Sequence, residues 1–313
     1  MRDSRKFGRR RFLGAGLERL AALASVPMLG VFSGPAGAQA APAARALSDK
    51  LVLIGGVPGN VLALSAEGGI VLVDSGAASF TRELEERLDG AAVHTVINTH
   101  YHGDQTGGNA HFGAAGAKIR AHEITRQWLS SDYYVPAEDR WVPALPPDGR
   151  PTETFRDKDE LTAGAESIEC GYLLEAHTRG DIYVFFRDSN VLAVGDVASP
   201  LRDPSHDWYA GGWLGGRVDA LDDLLELAGS DTLIVPAYGP VMSRAELQAE
   251  RDMMWHLYER TAALVNAGRS AEDLLEAGVL DEVDRSFEDP YRFLYDVAKG
   301  LWAHYTNFGG NVV

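Results

Sequence analysis

Residues 98–109, with the sequence N-T-H-Y-H-G-D-Q-T-G-G-N, place two histidines, an aspartate and three glycines directly after an apolar run. His100 and His102 are separated by one residue, so in an extended segment both imidazoles face one side and can bind the same metal ion. Asp104 continues this alternation, and the glycines allow the backbone to turn tightly beneath these side chains. The stretch therefore predicts a metal site in a loop that leaves a buried strand.

The segments on either side of this stretch predict an α/β fold. Short β-rich runs come first, and a helix with the sequence F-T-R-E-L-E-E-R-L follows Ser79, its expected N-cap residue. Strands occur in two blocks, each accompanied by helices, and this order favours two sheets packed face to face with helices outside. The predicted strands are 51–54, 61–65, 70–74, 94–98, 118–121, 167–174, 182–186, 191–194 and 232–236, and the chain is mostly helical from residue 245.

Two irregular segments are expected to shape a substrate cleft. Residues 131–155 contain several prolines and aromatic residues, and a loop of this length in a compact domain is usually functional. Residues 199–216 form a second loop, rich in Trp and Gly, that includes Trp208 and Trp213. We expect both loops to contribute to the shape of the cleft.

Residues 1–40 have the pattern of an export signal. Arg9, Arg10 and Arg11 precede Phe12 and Leu13, an apolar run follows at 20–32, and A-Q-A stands at 38–40. This order predicts a twin-arginine signal peptide and a periplasmic location for residues 41–313. A membrane anchor needs about 20 apolar residues, whereas this run is shorter and contains a proline. No membrane span is therefore expected once the signal is removed.

The charge balance narrows the choice of partners. The 313 residues carry a formal net charge of −16 at pH 7, and because residues 1–40 hold seven basic and two acidic residues, residues 41–313 alone are near −21. An acidic surface repels phosphate backbones and anionic lipids, so we expect a small-molecule substrate and no nucleic acid. Cys170 is the single cysteine, which excludes an internal disulfide.

The opening stretch is one of five motifs that occur in a known order. T-H-Y-H-G-D-Q-T-G-G-N resembles the signature T-H-x-H-x-D-H-x-G-G-N of the metallo-β-lactamase superfamily. The other four motifs are I-V-L-V-D-S-G at 70–76, E-A-H-T-R-G-D at 175–181, V-G-D at 194–196 and V-P-A-Y-G-P at 235–240. The resemblance implies a four-layer αββα sandwich for residues 41–313, with its core at about 51–243 and a C-terminal helical extension at 244–313.

The resemblance also implies which side chains hold metal. His100, His102 and His177 match the three ligands of a first metal ion. Asp104 and Asp196 match the carboxylates that serve a second ion, and Asp196 bridges the two ions in two-metal relatives. Three imidazoles with an open position are the ligand set of a hydrolytic zinc site.

Two positions depart from the superfamily pattern. Gln105 and Tyr238 stand where the second metal ion would have histidine ligands. Without both imidazoles this site keeps two carboxylates and weak neutral oxygens, a poor set for zinc. We therefore expect one zinc ion per chain and an empty or weak second site. His206 could substitute as a ligand, and Gln105 is expected to hold Asp104 in place.

The expected activity is hydrolysis of an ester, lactone, thioester or amide-type bond by an exported enzyme. A zinc ion on three histidines lowers the pKa of its bound water to about 7 and supplies hydroxide. Asp104 or Asp196 would accept a proton or orient this water. Tyr238 would donate a hydrogen bond to the developing oxyanion, or would only fill the vacated second site.

Two other functions would use the same residues. His100, His177 and Asp196 could form the two-histidine, one-carboxylate face of a non-haem iron site, as in persulfide dioxygenases of the superfamily. Those relatives keep the full histidine motif, which this sequence lacks, and His102 would complete a zinc site instead. Loss of both second-site histidines is also what a non-catalytic metal-binding member would show.

The C-terminal extension contains an amphipathic segment. Phe293, Val297, Leu301 and Tyr305 recur every four residues and form an apolar stripe on a helix. This stripe predicts packing against the core of the same chain or a contact in a homodimer.

Overall fold

The computed structural model describes residues 44–136 and 138–307 of the 313-residue chain, so the predicted export signal at 1–40 lies outside the described residues. The strands are β1 Ala44–Ala46, β2 Leu51–Ile54, β3 Val61–Ala66, β4 Gly69–Val73, β5 Val93–Ile97, β6 Lys118–His122, β7 Tyr133–Val135, β8 Arg140–Val142, β9 Glu153–Phe155, β10 Lys158–Ala163, β11 Glu166–Tyr172, β12 Ile182–Phe186, β13 Val191–Gly195 and β14 Leu233–Pro236. The α-helices are α1 Thr81–Arg87, α2 Gly103–Thr106, α3 Asn109–Ala114, α4 Glu123–Leu129, α5 Leu214–Leu227, α6 Arg244–Asn266, α7 Ala271–Glu276 and α8 Pro290–Asn307. No helix in these two ranges combines the length and apolarity needed to cross a bilayer.

The strands form two large sheets and a hairpin. The first sheet has the strand order β1-β2-β3-β4-β5-β6-β9, and the second has the order β10-β11-β12-β13-β14. Neighbours in the first sheet are antiparallel from β1 to β4 and parallel from β4 to β9. In the second sheet only the β13–β14 pair is parallel. Helices α1 and α3 lie in the crossovers that the parallel pairs β4–β5 and β5–β6 require.

Alternation along the strands separates the core between the sheets from the outer layers. In β3, Leu62 and Leu64 face the second sheet, whereas Val61 and Ala63 pack on the opposite side with the helices. The free thiol of Cys170 is buried between the sheets, and this burial raises its pKa, so it is a packing group rather than a nucleophile.

Helices cover the outer face of each sheet. Leu84 of α1 and Phe112 of α3 belong to the apolar cluster on the first sheet. Leu221 of α5, Leu257 of α6 and Val297 of α8 belong to the cluster on the second sheet. The order helix, sheet, sheet, helix confirms the predicted four-layer αββα sandwich, and the C-terminal helices enlarge one helical layer.

The apolar stripe of α8 packs within the same chain. Phe293, Val297 and Leu301 are buried in the cluster that also contains α5 and α6 residues, and Tyr305 is half-buried beside it. The Tyr305 hydroxyl lies 3.0 Å from the hydroxyl of Tyr258 on α6. The stripe therefore serves the core of the chain, and the homodimer stays a prediction that this stripe does not support.

The start of the first helix differs from the prediction. Ser79 lies inside a short 3-10 helix, and α1 begins at Thr81 after Phe80, so Ser79 is not the N-cap residue. Tertiary contacts fix this segment, because the N–H of Ala77 donates to the carbonyl of Val57 at 2.9 Å. Local capping chemistry therefore does not set the boundary.

Residues 131–155 are more regular than the sequence indicated. β7 and β8 pair as an antiparallel hairpin, with Tyr134 opposite Trp141, and β9 extends the first sheet by pairing in parallel with β6. Each of these strands has three residues, which is too short for alternation to show in the sequence.

Candidate metal centre

Three histidine rings form a triangle beyond the ends of the strands. The ring centroids of His100, His102 and His177 lie 4.8 Å apart in every pair. One ligand atom from each of these residues and one from Asp196 all lie within 4.8 Å of one another. The loops after β5, β11 and β13 supply them. The structure thus brings together four of the residues that the sequence motifs singled out.

The buried carboxylate of Asp74, the residue directly after β4, fixes the loop that carries His100. Both oxygens of Asp74 accept hydrogen bonds from Thr99, one from its N–H and one from its hydroxyl, each at 2.8 Å. The Thr99 hydroxyl also lies 3.0 Å from Nδ1 of His100. Burial raises the pKa of Asp74 to about 8, although the hydrogen bonds from Thr99 oppose this shift. This contact occupies Nδ1 of His100 and leaves Nε2 to face the triangle.

A second carboxylate orients His102. Nε2 of His102 lies 2.6 Å from Oδ2 of Asp207, and the Tyr101 hydroxyl donates to the same oxygen. Burial alone would lower the pKa of His102, but the charge of Asp207 and this hydrogen bond outweigh it and raise the pKa to about 9. A carboxylate on the outer nitrogen is the usual support for a metal-binding histidine, and it leaves Nδ1 free for the metal.

His177 is held by the turn that follows it. Oδ2 of Asp181 accepts hydrogen bonds from the N–H groups of His177 at 2.6 Å and Thr178 at 2.7 Å. Burial raises the pKa of Asp181 to about 7, against these hydrogen bonds. In the motif E-A-H-T-R-G-D, the final aspartate therefore fixes the backbone position of the histidine.

The protonation states of two of the rings suit a metal ion. Burial lowers the pKa of His100 to about 3 and that of His177 well below its usual value, so both imidazoles are neutral. Nε2 of His100 is buried and has no hydrogen-bond partner among the described residues. Nδ1 of His177 lies 3.8 Å from Oδ1 of Asp181, which leaves Nε2 of this ring for the triangle. Two buried, neutral imidazoles oriented in this way fit a single metal ion.

Two side chains at the positions of the second metal site form a hydrogen bond with each other. The Tyr238 hydroxyl donates to Oδ2 of Asp104, so its proton is already used. Burial works against ionisation of Asp104, but His102 and the Tyr238 hydrogen bond lower its pKa. Asp104 is therefore an ionised acceptor within α2, beside the triangle.

The expected role of Gln105 is wrong. Its buried amide has no hydrogen-bond partner in the described part of the chain, so it does not hold Asp104. Consecutive residues of a helix point in different directions, and Gln105 turns toward Gly59 instead. A Cβ at Gly59 would lie 3.3 Å from Nε2 of Gln105, and the φ of +91° at Gly59 also favours glycine.

A guanidinium lies between the two second-site carboxylates. Nη2 of Arg202 is 2.8 Å from Oδ2 of Asp196 and 3.9 Å from Oδ2 of Asp104. Its Cζ atom lies 3.5 Å from the centroid of the Tyr238 ring. Sequence reasoning missed Arg202 because it stands in an irregular loop outside every motif. Its one signal is a basic side chain six residues after Asp196.

His206 lies outside the group of candidate metal ligands that the described residues form, so its role as a substitute ligand of the second site stays a prediction. Its ring is buried, neither nitrogen has a partner in the ranges described, and burial lowers its pKa well below the usual value. The neighbouring residue Asp207, which sequence reasoning missed, contacts the site instead through His102.

A cleft of about 620 Å³ opens beside His102 and Asp104. The hairpin β7–β8 contributes to its wall, which agrees with the cleft predicted at 131–155. Its other lining residues come from the 202–209 loop and the segment around α8. The lining includes Tyr133, Val135, Arg140, Arg202, Ser205, His206, Asp207, Tyr209, Arg292 and Asp296.

The two tryptophans of the 199–216 loop do not line this cleft. Trp213 turns toward α8, where its ring stacks on His304 with centroids 3.6 Å apart. Trp208 lines a smaller pocket of about 250 Å³ next to His304. Packing against the C-terminal helix therefore draws both rings away from the metal centre.

Known proteins are similar to most of this chain. The model of the Metallo-beta-lactamase superfamily matches residues 54–239. The chain is 29% identical over 248 residues to the 2,4-dinitroanisole O-demethylase subunit alpha of Nocardioides sp. (strain JS1661). The aligned region covers 76% of this chain and 66% of that protein, just under two thirds of its length. The chain is also 25% identical over 202 residues to metallo-beta-lactamase type 2 of Bacillus cereus, and this aligned region covers 63% of this chain and 73% of that enzyme.

A solved structure gives the same fold. The metallo-beta-lactamase from Pontibacter korlensis superposes with a TM-score of 0.57 and 20% sequence identity, over 68% of this chain and 98% of that one.

Proposed function

Because this chain belongs to the metallo-beta-lactamase superfamily, we propose that it is an exported zinc hydrolase that works with one metal ion held by His100, His102 and His177. The observation that carries the proposal is the triangle of these rings, with centroids 4.8 Å apart. Three imidazoles that converge on one point, with a carboxylate beside them, suit zinc.

The side chains around the triangle prepare the site for hydrolysis. Bound zinc supplies a Lewis acid and lowers the pKa of a water ligand to about 7. Asp207 holds the proton on Nε2 of His102 and so directs Nδ1 to the metal. Oδ2 of Asp104 accepts the Tyr238 proton, and Oδ1 is the atom we assign to orienting the nucleophile. Burial raises the pKa of the Tyr238 hydroxyl, which keeps it protonated.

The proposed substrate is a small molecule with an ester, lactone, thioester or amide-type bond. A cleft of about 620 Å³ is in the range of small-molecule sites. The acidic chain disfavours polyanionic substrates. Because fold does not determine the bond that is attacked, the test of this proposal is a screen across all of these classes.

Cleavage of an aryl methyl ether is a second candidate. The relative from Nocardioides is named for O-demethylation of 2,4-dinitroanisole. Here the cleft is lined by Tyr133 and Tyr209, and Tyr133 packs edge-on against Tyr101 and Trp128. An aromatic wall of this kind favours a flat aromatic substrate.

Two other functions are distinguishable by metal identity and by turnover. A two-histidine, one-carboxylate iron site on His100, His177 and Asp196 would leave His102 without a role. The Asp207 carboxylate that orients His102 favours the three-histidine zinc site instead. A non-catalytic metal-binding protein would carry metal and turn over no substrate.

The test combines metal analysis with a substrate screen. Protein purified without added metal or chelator is analysed by inductively coupled plasma mass spectrometry, and esters, lactones, thioesters, β-lactams and methyl aryl ethers are assayed. One zinc per chain and turnover of an ester, lactone, thioester or β-lactam support the proposal, whereas turnover of a methyl aryl ether supports the second candidate. Zinc and turnover should both be lost in His177→Ala and retained in His111→Ala, whose side chain is exposed. Iron with oxygen uptake on a persulfide, or metal without turnover, would overturn the proposal.

Export is proposed from residues 1–40 alone. The twin arginines Arg9 and Arg10 are the residues on which this pathway depends. Replacing both by lysine should move the protein from the periplasmic to the cytoplasmic fraction of the producing cells. Periplasmic protein from that variant would contradict the assignment.

A further inference from the structure

The second-site carboxylates already have a cation between them. We propose that Arg202 takes the place of a second metal ion and restricts the centre to one. This inference rests on the proposed single-metal function, but it concerns a residue that no superfamily motif contains. Nη2 of Arg202 is 2.8 Å from Oδ2 of Asp196 and 3.9 Å from Oδ2 of Asp104.

The contacts of Arg202 leave a second ion little to bind. Oδ2 of Asp104 also accepts the Tyr238 hydroxyl, and the guanidinium stacks on the ring of Tyr238 at 3.5 Å. A divalent ion would need carboxylate oxygens at about 2.0–2.2 Å. It would then stand within a few ångströms of the guanidinium charge, where like charges repel strongly in a partly buried site. The arginine therefore opposes the second ion by position and by charge.

The same arrangement explains one of the two departures from the superfamily motif, the tyrosine at position 238. Where a histidine would ligate metal, Tyr238 instead provides a flat ring beneath the guanidinium and a proton for Asp104. Guanidinium stacking on an aromatic face is a favourable arrangement that a metal-bound imidazole would not offer. Tyr238 and Arg202 thus complement each other, which a merely decayed metal site would not require.

The C-terminal extension holds the loop that carries Arg202. The guanidinium of Arg285 donates to the carbonyl of Ser199 at 2.7 Å and also to the carbonyl of Arg202. The carboxylate of Asp203 accepts the N–H groups of residues 288 and 289 at 3.0 and 2.9 Å. Contacts on both sides of Arg202 therefore fix its backbone, and the extension gains a function at the metal centre.

Metal counting in a set of variants tests this role. Gln105→His with Tyr238→His restores the missing imidazoles. To this double variant we add Arg202→Met, which removes the charge, or Arg202→Lys, which keeps it. Arg82→Met in the same background is the matched control, because the Arg82 side chain is exposed on α1. Zinc per chain is measured after dialysis, with circular dichroism to verify folding.

The expected zinc content is one per chain in the native protein, the double variant, the Arg202→Lys addition and the Arg82→Met addition. When Arg202→Met is added to the double variant, the expected zinc content rises twofold, to two per chain. Two ions in the double variant with Arg202 intact, two with Arg202→Lys, or one with Arg202→Met would overturn the role of Arg202. Absence of zinc from the native protein would instead contradict the proposed function, so the two failures are distinguishable.

A single substitution gives an independent measurement if the triple variants do not fold. Arg202→Met in the otherwise native chain leaves Asp104 and Asp196 able to bind a weak second ion. Zinc titration by calorimetry should show a second, weaker binding event in this variant and none in the native chain or in Arg202→Lys. Identical isotherms for all three proteins would overturn the proposal.

Discussion

Nε2 of His102 lies 2.6 Å from Oδ2 of Asp207, and this pair determines which nitrogen of the ring can bind metal. The Tyr101 hydroxyl donates to the same carboxylate oxygen. Asp207 stands in a loop far from the histidine motif in sequence, so the geometry of the triangle depends on a residue outside every motif.

Replacing Asp207 should weaken metal binding without removing a ligand. Asp207→Asn abolishes the charge that holds the His102 ring, and loss of such a partner typically costs about 10- to 100-fold in metal affinity. Competition titration against a chromophoric zinc chelator measures the change. Asp252→Asn, on the exposed face of α6, is the control and should leave the affinity unchanged. Equal affinities for the two variants would show that Asp207 does not support the site.

Removing a histidine of the triangle should have a larger effect. His102→Ala leaves two imidazoles, which is too few for a tight zinc site, so both zinc content and hydrolysis should be lost. His111→Ala removes an exposed histidine that pairs with Glu85, and both properties should persist. Metal analysis beside the activity assay provides the measurement. Unaltered zinc content in His102→Ala would refute the three-histidine assignment.

The contact between Asp74 and Thr99 should contribute to stability. Thr99→Val keeps the shape of the side chain but removes the hydroxyl that donates to Asp74 and contacts His100. A buried carboxylate oxygen then lacks its partner, which typically costs about 1–3 kcal/mol. Urea denaturation of the metal-free protein measures the loss. Thr81→Val, whose hydroxyl bond is exposed, should change the unfolding free energy much less, and an equal change would contradict this account.

The hydrogen bonds between the C-terminal extension and the loop that carries Arg202 should also contribute to stability. Arg285→Met removes the donors to the carbonyls of Ser199 and Arg202 and should lower the free energy of unfolding by about 1–3 kcal/mol. Arg82→Met breaks an exposed ion pair with Glu86 and should cost less than about 1 kcal/mol. Denaturant titrations of both variants give the comparison. Similar values would mean that the extension does not fix this loop.

The sequence predicted the metal ligands better than it predicted the residues that contact those ligands. His100, His102, His177 and Asp196 stand in motifs with fixed spacing, and the structure brings them together. Layer order also followed from the alternation of strands and helices. Arg202 and Asp207 could not be predicted in the same way, because loop side chains show no periodicity and meet the site through tertiary contacts.

Local rules also failed where tertiary contacts determine the structure. Ser79 has the chemistry of an N-cap, but hydrogen bonding of the preceding segment to Val57 shifts the start of α1. Gln105 was expected to hold its neighbour Asp104, but helix geometry turns its amide toward Gly59. The start of α1 therefore depends on a residue that is distant in sequence, and the Gln105 amide lies beside another such residue, Gly59.

The most direct test of a single-metal centre is anomalous X-ray scattering at the zinc absorption edge, from crystals of the native chain grown with zinc. We predict one anomalous peak per chain, enclosed by His100, His102 and His177, and guanidinium density for Arg202 between Asp104 and Asp196. A second zinc peak between those two carboxylates, or no peak at the three histidines, would contradict this account.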